Sequence, residues 1–496
     1  MAGKTISRRE ALRWLGLGAA AAGLSACGLQ TPTPIAAPVQ PTAVPPTAIP
    51  VAPTALPTVA PVAKAPGSIE LEIKTVQPEY HAQTQQIWDV YLQSHPELKF
   101  KYIDVNEDTQ AAYDARVAAG NPADIDCQAA CNQDTYKNYV NLLDVPNFNW
   151  DIFHKGAKTS FEQIYGIPNY VPLVNAFAGY FWTFIYYKDK MAEAGLDPKT
   201  TVKTMDDLRA FLAKLKDFVD KSGGKYEYVL DQGWHPWVWG TVAPHLWSMS
   251  LGHGKQELRD LFLGKVRWDD KTKNPLVPYF ESIKEFYDKG YMPKRWWTRN
   301  WDEFENGFIA QKSILTTHGP WLWDKVNAAN PNAQLEGFNW PADKDNQLFV
   351  TPTAAYAYNT NAATIYTANK SKPNFAAAQD ALLWWYSPES IKLQCEAIGW
   401  IPACDLSSVG GADLKHPQYV DVVQPVLEGK AGSLKYDDSL MGPDVAARYK
   451  NGGAENIMES DAMAGIYGDY FEGKTSLDDL LKTLQQRADA AYTLPK

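Results

Sequence analysis

Eight residues, Gly233-Trp234-His235-Pro236-Trp237-Val238-Trp239-Gly240, set three indoles and an imidazole around a proline, with His245 and Trp247 close behind. Pro236 and the flanking glycines disfavour a regular core element, so these rings are expected on loop or strand-end backbone. His318-Gly319-Pro320-Trp321-Leu322-Trp323 forms a second cluster, and Gly399-Trp400-Ile401-Pro402 a third. An indole on such backbone offers a flat apolar plate with one N–H at its rim. A pyranose ring matches it, stacking its C–H face on the plate while its hydroxyls pair in plane with Asn, Gln, Asp, Glu or His. The chemistry is therefore the gripping of a neutral polyol, with Trp234, His235, Trp237, Trp321 and Trp400 as candidate contacts. For each tryptophan the competing reading is a buried core indole.

Other patterns promise chemistry and fail on physical grounds. Gly468-Asp469-Tyr470-Phe471-Glu472-Gly473-Lys474-Thr475 spells a phosphate-binding loop. A phosphate cradle needs small residues with converging N–H groups, whereas two carboxylates and two large rings crowd this one. It reads instead as the approach to the last helix, with Thr475 or Ser476 as its N-cap. The eight histidines include no pair at helical metal-binding spacing, and no nucleophile-elbow motif occurs. Acidic pairs such as Asp206-Asp207, Asp269-Asp270, Asp437-Asp438 and Asp478-Asp479 suit solvated turns and helix starts better than a hydrolytic dyad. No catalytic residue, cofactor or metal is expected.

The chain that must position these rings has 496 residues, 45% hydrophobic and 21% charged, enough for more than one globular unit. Its net charge is −10, and the first 67 residues carry five basic groups against one acid, leaving about −14 on the remainder. So acidic a body repels nucleic acid and anionic lipid. Ser7-Arg8-Arg9-Glu10-Ala11-Leu12-Arg13 precedes a short apolar run, Trp14 to Gly23, the form of an export signal. Its Arg8-Arg9 pair resembles a twin-arginine signal. Leu24-Ser25-Ala26-Cys27 resembles a lipobox, in which Cys27 becomes the acylated first residue of the mature chain; cleavage elsewhere is the alternative. Residues 28–67 follow as a stalk: eleven prolines fall among the 37 residues from Gln30 to Pro66, which biases the backbone to polyproline II. With Cys27 assigned to lipid, Cys127, Cys131, Cys395 and Cys404 remain, and an export compartment permits two bridges. Proximity favours Cys127–Cys131 and Cys395–Cys404, with a reduced pair as the alternative.

In the body, Ile69, Leu71 and Ile73 alternate with charged residues as in a strand. A helix over 81–94 and a strand over 99–105 complete a βαβ unit. Another helix is expected over 111–119. The clearest helix spans Met205 to Lys221: Leu208, Phe211, Leu212, Leu215, Phe218 and Val219 share a face, Thr204 to Asp207 forms a near capping box, and Ser222-Gly223-Gly224 ends it. Amphipathic runs follow at 279–289, 375–386 and 477–492. Strands interspersed with helices make the fold class α/β.

The body resembles the extracellular solute-binding proteins of family 1, the carbohydrate receptors of ABC importers, from Ile69 to about Tyr492. The resemblance rests on ordered short motifs: Gly120-Asn121-Pro122-Ala123-Asp124-Ile125, Tyr165-Gly166-Ile167-Pro168, Ile185-Tyr186-Tyr187-Lys188-Asp189, Ala194-Gly195-Leu196-Asp197, Lys203 to Leu208, Phe304 to Gly319, and Gly473 to Leu480. Tyr187 stands where the family pattern has Asn, and the segment at Trp234 is richer in indoles than usual, so the solute's identity does not carry over. The resemblance implies a two-lobe periplasmic-binding-protein-like fold of type II, each lobe a mixed sheet flanked by helices, with the ligand cleft between them. It implies one lobe from residues 68–175 and 341–374 and a second from 176–340 and 375–496. By position it assigns the stacking indole to Trp321 and mid-lobe aromatics to Trp234 and Trp237. It adds Gln77, Glu79 and Tyr80 after the first strand, and Gln128, Asn132 and Asp134 after Asp124-Ile125. A monomeric, lipid-anchored receptor on the outer face of the cytoplasmic membrane, or in a periplasm, would then deliver a carbohydrate to a permease and ATPase on separate chains. Two alternatives stay open: an exported glycosidase or lyase, and a peptide or polyamine receptor drawn by the acidic body.

Overall fold

The alternation at the start of the body becomes strand β1 (Ile69–Lys74), with Leu71 and Ile73 fully buried. Helix α1 (His81–Ser94) follows, then β2 (Leu98–Ile103), which pairs parallel to β1 with Ile69 opposite Leu98. The computed structural model describes most of residues 69–153, 182–341, 360–411 and 457–492, with short gaps that include 77–79, 131–135, 237 and 400–403. The export signal, the stalk, Cys27, Gln77, Glu79, Cys131, Asn132, Asp134, Trp237 and Trp400 lie outside the described residues. Helix α2 (Glu107–Ala118) starts four residues earlier than its apolar pattern implied and leads to β3 (Ile125–Ala130). Strand β3 runs parallel to β1, and a late strand from the far end of the sequence pairs with it antiparallel.

The second sheet is assembled from β4 (Thr183–Tyr187), β5 (Tyr228–Asp231), β6 (Ser313–His318) and β7 (Leu335–Phe338), in the order β5-β6-β4-β7. With β8 (Thr360–Thr364), the first sheet has the order β2-β1-β3-β8. Strand β4 is buried along its whole length and serves two layers. Phe184 and Tyr186 face one core, and Ile185 and Tyr187 face the other. Helix α3 (Met205–Lys221) lies on the first of these layers through Leu208, Phe211, Leu212, Leu215 and Val219. Its start is held reciprocally: Thr204 accepts from the Asp207 N–H, and the Asp207 carboxylate accepts from the Thr204 N–H. Both sheets mix parallel and antiparallel pairs, so the architecture is α/β with two flanked sheets.

One boundary differs from expectation. Residues from 375 onward were assigned to the second lobe, but helices Phe375–Trp385 and Pro388–Ala397 pack on the first sheet. Trp385 stacks on Trp88 of α1 at 4.7 Å and 21°, and the same core extends to Val409. The chain rejoins the second core by Met463, in helix Ala462–Phe471. An amphipathic pattern shows that a helix buries a face but not which sheet receives it.

The phosphate-loop letters fold as expected of a helix junction. Gly468 lies inside the helix Ala462–Phe471, where any Cβ would collide with the Trp297 indole. Ser476 caps the last helix, Leu477–Ala491, by accepting from the Asp479 N–H at 3.2 Å. The expected Cys395–Cys404 bridge is not formed: both residues are buried thiols, as is Cys127. Burial pushes the Cys395 thiol far up, which withholds the thiolate that disulfide exchange requires.

Candidate functional site

Strand β6 delivers His318, fully buried, to one end of the second sheet, and the chain turns there through Gly319. Gly319 has no room for a side chain because the ring of Trp321 folds over it. Trp321 opens helix α4 (Trp321–Ala329) and is half-buried, packed against both cores. The helix before it in the chain, α5 (Trp301–Ile309), brings a second indole to the same place with its first residue. Its start is fixed by another capping box, in which Asn300 accepts from the Glu303 N–H at 2.9 Å and Glu303 accepts from the Asn300 N–H at 2.8 Å. Trp182, just before β4, is the third indole, its carbonyl accepting from Trp340 Nε1 at 2.8 Å.

These rings converge on His318. Its imidazole stacks on Trp182 at 5.0 Å and 27°, and lies 4.8 Å from Trp301, 5.2 Å from Phe304 and 5.3 Å from Trp321. Trp301 and Trp321 stand 6.4 Å apart and only 26° from parallel. His235 meets Trp301 edge-on at 5.0 Å. Beneath the rings, Glu305 Oε1 lies 3.2 Å from His318 Nε2, and Glu305 Oε2 accepts from Lys325 Nζ at 2.5 Å. Burial pushes the Glu305 carboxyl up, but His318 and Lys325 together outweigh it and hold it below the ordinary carboxylate range.

An ion pair holds the two loops of this cluster together. The Arg299 guanidinium pairs with the buried Asp231 at the end of β5, donates to the Gln232 carbonyl at 2.7 Å, and reaches the Glu303 carbonyl at 3.0 Å. The Trp234 N–H returns a bond to the Arg299 carbonyl at 2.8 Å. Gly233 permits this approach, since a Cβ there would sit 2.6 Å from Phe304 Cβ. Burial pushes the Asp231 carboxyl up to about 6 despite the pull of Arg299.

Of the expected contacts, Trp321 and His235 belong to this cluster, and Trp234 does not. The Trp234 indole turns into the second core, stacking toward Trp296 at 6.3 Å and meeting Tyr467 edge-on at 5.6 Å. Its burial removes the open face that the loop placement implied. Tyr80 is likewise buried, in the first core, with its carbonyl accepting from Thr84. Gln128 sits on β3, where its N–H donates to Asp126 and its carbonyl faces Lys74. Trp182, Trp301 and Glu305 were not anticipated. The Asn300-to-Glu303 capping spacing was a local signal that could have placed Trp301 at a helix start. Among the described residues, no group of three metal-ligating side chains converges; Glu305 accepts from Lys325 through Oε2, and its Oε1 lies 3.2 Å from His318 Nε2. The arrangement can stack and orient a guest.

The model of a family described as bacterial extracellular solute-binding protein matches residues 86–411. A comparison with curated proteins finds no match. Among solved structures, the chain is similar to apo RafE from Streptococcus pneumoniae (TM-score 0.60, 15% identity, 86% of this chain and 99% of that one). It is similar to the GacH receptor of Streptomyces glaucescens (TM-score 0.60, 14% identity, 84% and 97%). A third is the sugar transporter BL01359 from Bacillus licheniformis, solved with stachyose (TM-score 0.58, 13% identity, 84% and 98%). At these identities the likeness is one of fold.

Proposed function

Given that this chain belongs to the family of bacterial extracellular solute-binding proteins, we propose that its solute is a carbohydrate, bound by aromatic stacking and hydrogen bonds and left chemically unchanged. The observation that carries this reading is the pair of half-buried, nearly parallel indoles, Trp301 and Trp321, gathered round His318 at one end of the second sheet. Flat apolar plates edged by polar rings match a sugar's alternation of C–H face and hydroxyl rim. Structural neighbours solved with raffinose, stachyose and acarbose support the same class of guest.

The receptor works as a two-lobe clamp. Solute enters between the lobes, and the closed form is favoured only by the extra contacts that the solute makes there. Trp321 and Trp301 supply the stacking surface, with His235 at its edge. Trp237, Trp400, Gln77, Glu79, Asn132 and Asp134 are the further contacts. An ABC permease and ATPase on separate chains take the solute inward. Acylation at Cys27 keeps the receptor at the outer membrane face, and the proline-rich stalk lets it reach the permease, at about 3.1 Å per residue where it is extended. The body neither cuts its guest nor needs a cofactor.

Tryptophan emission titrated with mono- and oligosaccharides, peptides and polyamines, with reducing ends assayed in the same sugar mixtures, tests the reading. Saturable change with sugars and no new reducing ends is expected. New reducing ends would overturn the receptor reading, and saturation by peptides or polyamines alone would overturn the choice of solute.

A further inference from the structure

We infer that the Arg299–Asp231 ion pair positions the stacking indole Trp301, and that a proton taken up by Asp231 loosens this platform and weakens the grip on solute in mild acid. Asp231 ends β5 fully buried, and its Oδ1 accepts from Arg299 Nη1. The other oxygen, Oδ2, is buried against α5 at Gly307, where any Cβ would overlap it, and has no hydrogen-bond partner among the described residues. From this anchor the guanidinium also donates to the Gln232 carbonyl at 2.7 Å and to the Glu303 carbonyl, in the first turn of α5, at 3.0 Å. Trp301 begins that helix two residues after Arg299. On the other side, the Trp234 N–H donates to the Arg299 carbonyl at 2.8 Å, and the next residue, His235, meets Trp301 edge-on at 5.0 Å. Both rims of the platform are therefore tied to one carboxylate.

The groups that face Asp231 set its response to acid. Arg299, itself largely buried, is the cation that touches it, and the Tyr228 ring on β5 lies 5.3 Å from the guanidinium. Lys312, just before β6, adds a weaker pull and is paired with Glu227 at 3.2 Å. From β6, the Thr316 hydroxyl donates to the Asp231 carbonyl at 3.1 Å, and His318 lies farther along the same strand. Helix α5 contributes Glu303, whose carboxylate accepts from the Asn300 N–H, and Glu305, which is paired with Lys325. Helix α3 buries an apolar face on this sheet, and the Tyr291 carbonyl accepts from the Leu230 N–H. Burial opposes the carboxylate and Arg299 supports it, and the balance pushes the Asp231 carboxyl up to about 6. A neutral Asp231 suits this dry seat, but the guanidinium then keeps only carbonyl acceptors. Global stability and platform order thus respond to acid in opposite directions. Arg299 and Asp231 are positioning residues that act through Trp301.

The effect on affinity rests on the carbohydrate reading, whereas the loosening is read without solute. Tryptophan emission of the solute-free, full-length protein, followed from about pH 7.5 to about pH 5, is expected to shift with a midpoint of about 6. Asp231→Asn, a neutral isostere, should show the acid-form emission throughout, and Trp301→Phe should remove most of the shift. No shift in the wild type, or the same shift in folded Asp231→Asn, overturns the inference. Sugar affinity, taken by calorimetric titration over the same range, should fall about tenfold towards acid in the wild type and stay low and level in Asp231→Asn. By linkage, binding near the midpoint should release protons, seen as a binding heat that varies with the ionisation enthalpy of the buffer. Melts separate this from a simply structural role: relative to Asp231→Asn, wild-type stability should rise towards acid while affinity falls. A level affinity profile in the wild type overturns the coupling. A wild type that binds no sugar at any pH overturns the carbohydrate reading, while the emission shift still decides the positioning role.

Discussion

Gly319→Ala tests the platform without deleting any of its rings. The backbone at Gly319 lies outside the left-handed region, so alanine is compatible with the chain conformation, and the obstacle is the neighbouring indole. A Cβ at this position would sit 2.7 Å from Trp321 Cε3 and nearer still to two further ring atoms. Ordinary contact begins at 3.4 Å, so the ring must retreat by about 1 Å or rotate away. Either movement breaks its edge-on approach to His318 at 5.3 Å and its near-parallel relation to Trp301 at 6.4 Å. A solute stacked on that plate would lose an aromatic contact and the apolar area beneath it, together about 1–2 kcal/mol, which is a fivefold to thirtyfold weakening. Calorimetric titration gives the affinity, tryptophan emission reports the plate, and a thermal melt confirms folding. Trp321→Phe serves as the control that shortens the ring without moving the turn. Wild-type affinity together with a wild-type emission change in folded Gly319→Ala would refute Trp321 as the stacking plate.

Because Trp234 lies in the second core, Trp234→Ala should cost about 3–5 kcal/mol in denaturant unfolding, while Trp234→Phe should keep solute affinity within about twofold. A large affinity loss in a fully folded Trp234→Phe would show that its indole reaches the solute after all. The Asp231 carboxyl, pushed up to about 6 in the folded protein from an ordinary 3.8, favours the fold fully below pH 3.8, and that contribution is lost as pH rises through about 6. Relative to Asp231→Asn, wild-type stability should therefore fall by about 2 kcal/mol between pH 4 and pH 6, read from melts across that range. Thr204→Ala removes half of a capping box and should cost about 1 kcal/mol, with no change in solute affinity.

How far the sequence revealed this architecture depended on the range of the interaction concerned. Helix Met205–Lys221, its Thr204 cap and the Ser476 cap were legible because a helix face and its first turn are encoded within a few residues. Trp321 was legible through its place after Gly319-Pro320. Trp234 and His235 are adjacent, yet one indole goes to the core and one imidazole to the platform. Loop backbone has no period that would have told them apart.

Range also decided what strand alternation concealed. Along β1 the charged residues alternate with the buried apolar ones, which would leave Lys74 on a solvated face. Helix α2 covers that end of the face instead, leaving Lys74 and Asp126 almost wholly buried and 3.2 Å apart. The hydroxyls of Tyr113, on α2, and Tyr366, just past β8, both donate to the second oxygen of Asp126, at 3.2 and 3.1 Å. A period of two assigns a side chain to a face, but whether water meets that face is settled by elements far away in the chain. The same holds at the platform, where Trp182, Trp301 and His318 come from three separate stretches and meet only because β4 pairs with β6 and α5 packs beside them. Residue type could therefore suggest the chemistry of the site, whereas its composition waited on the strand pairing that gathers those rings.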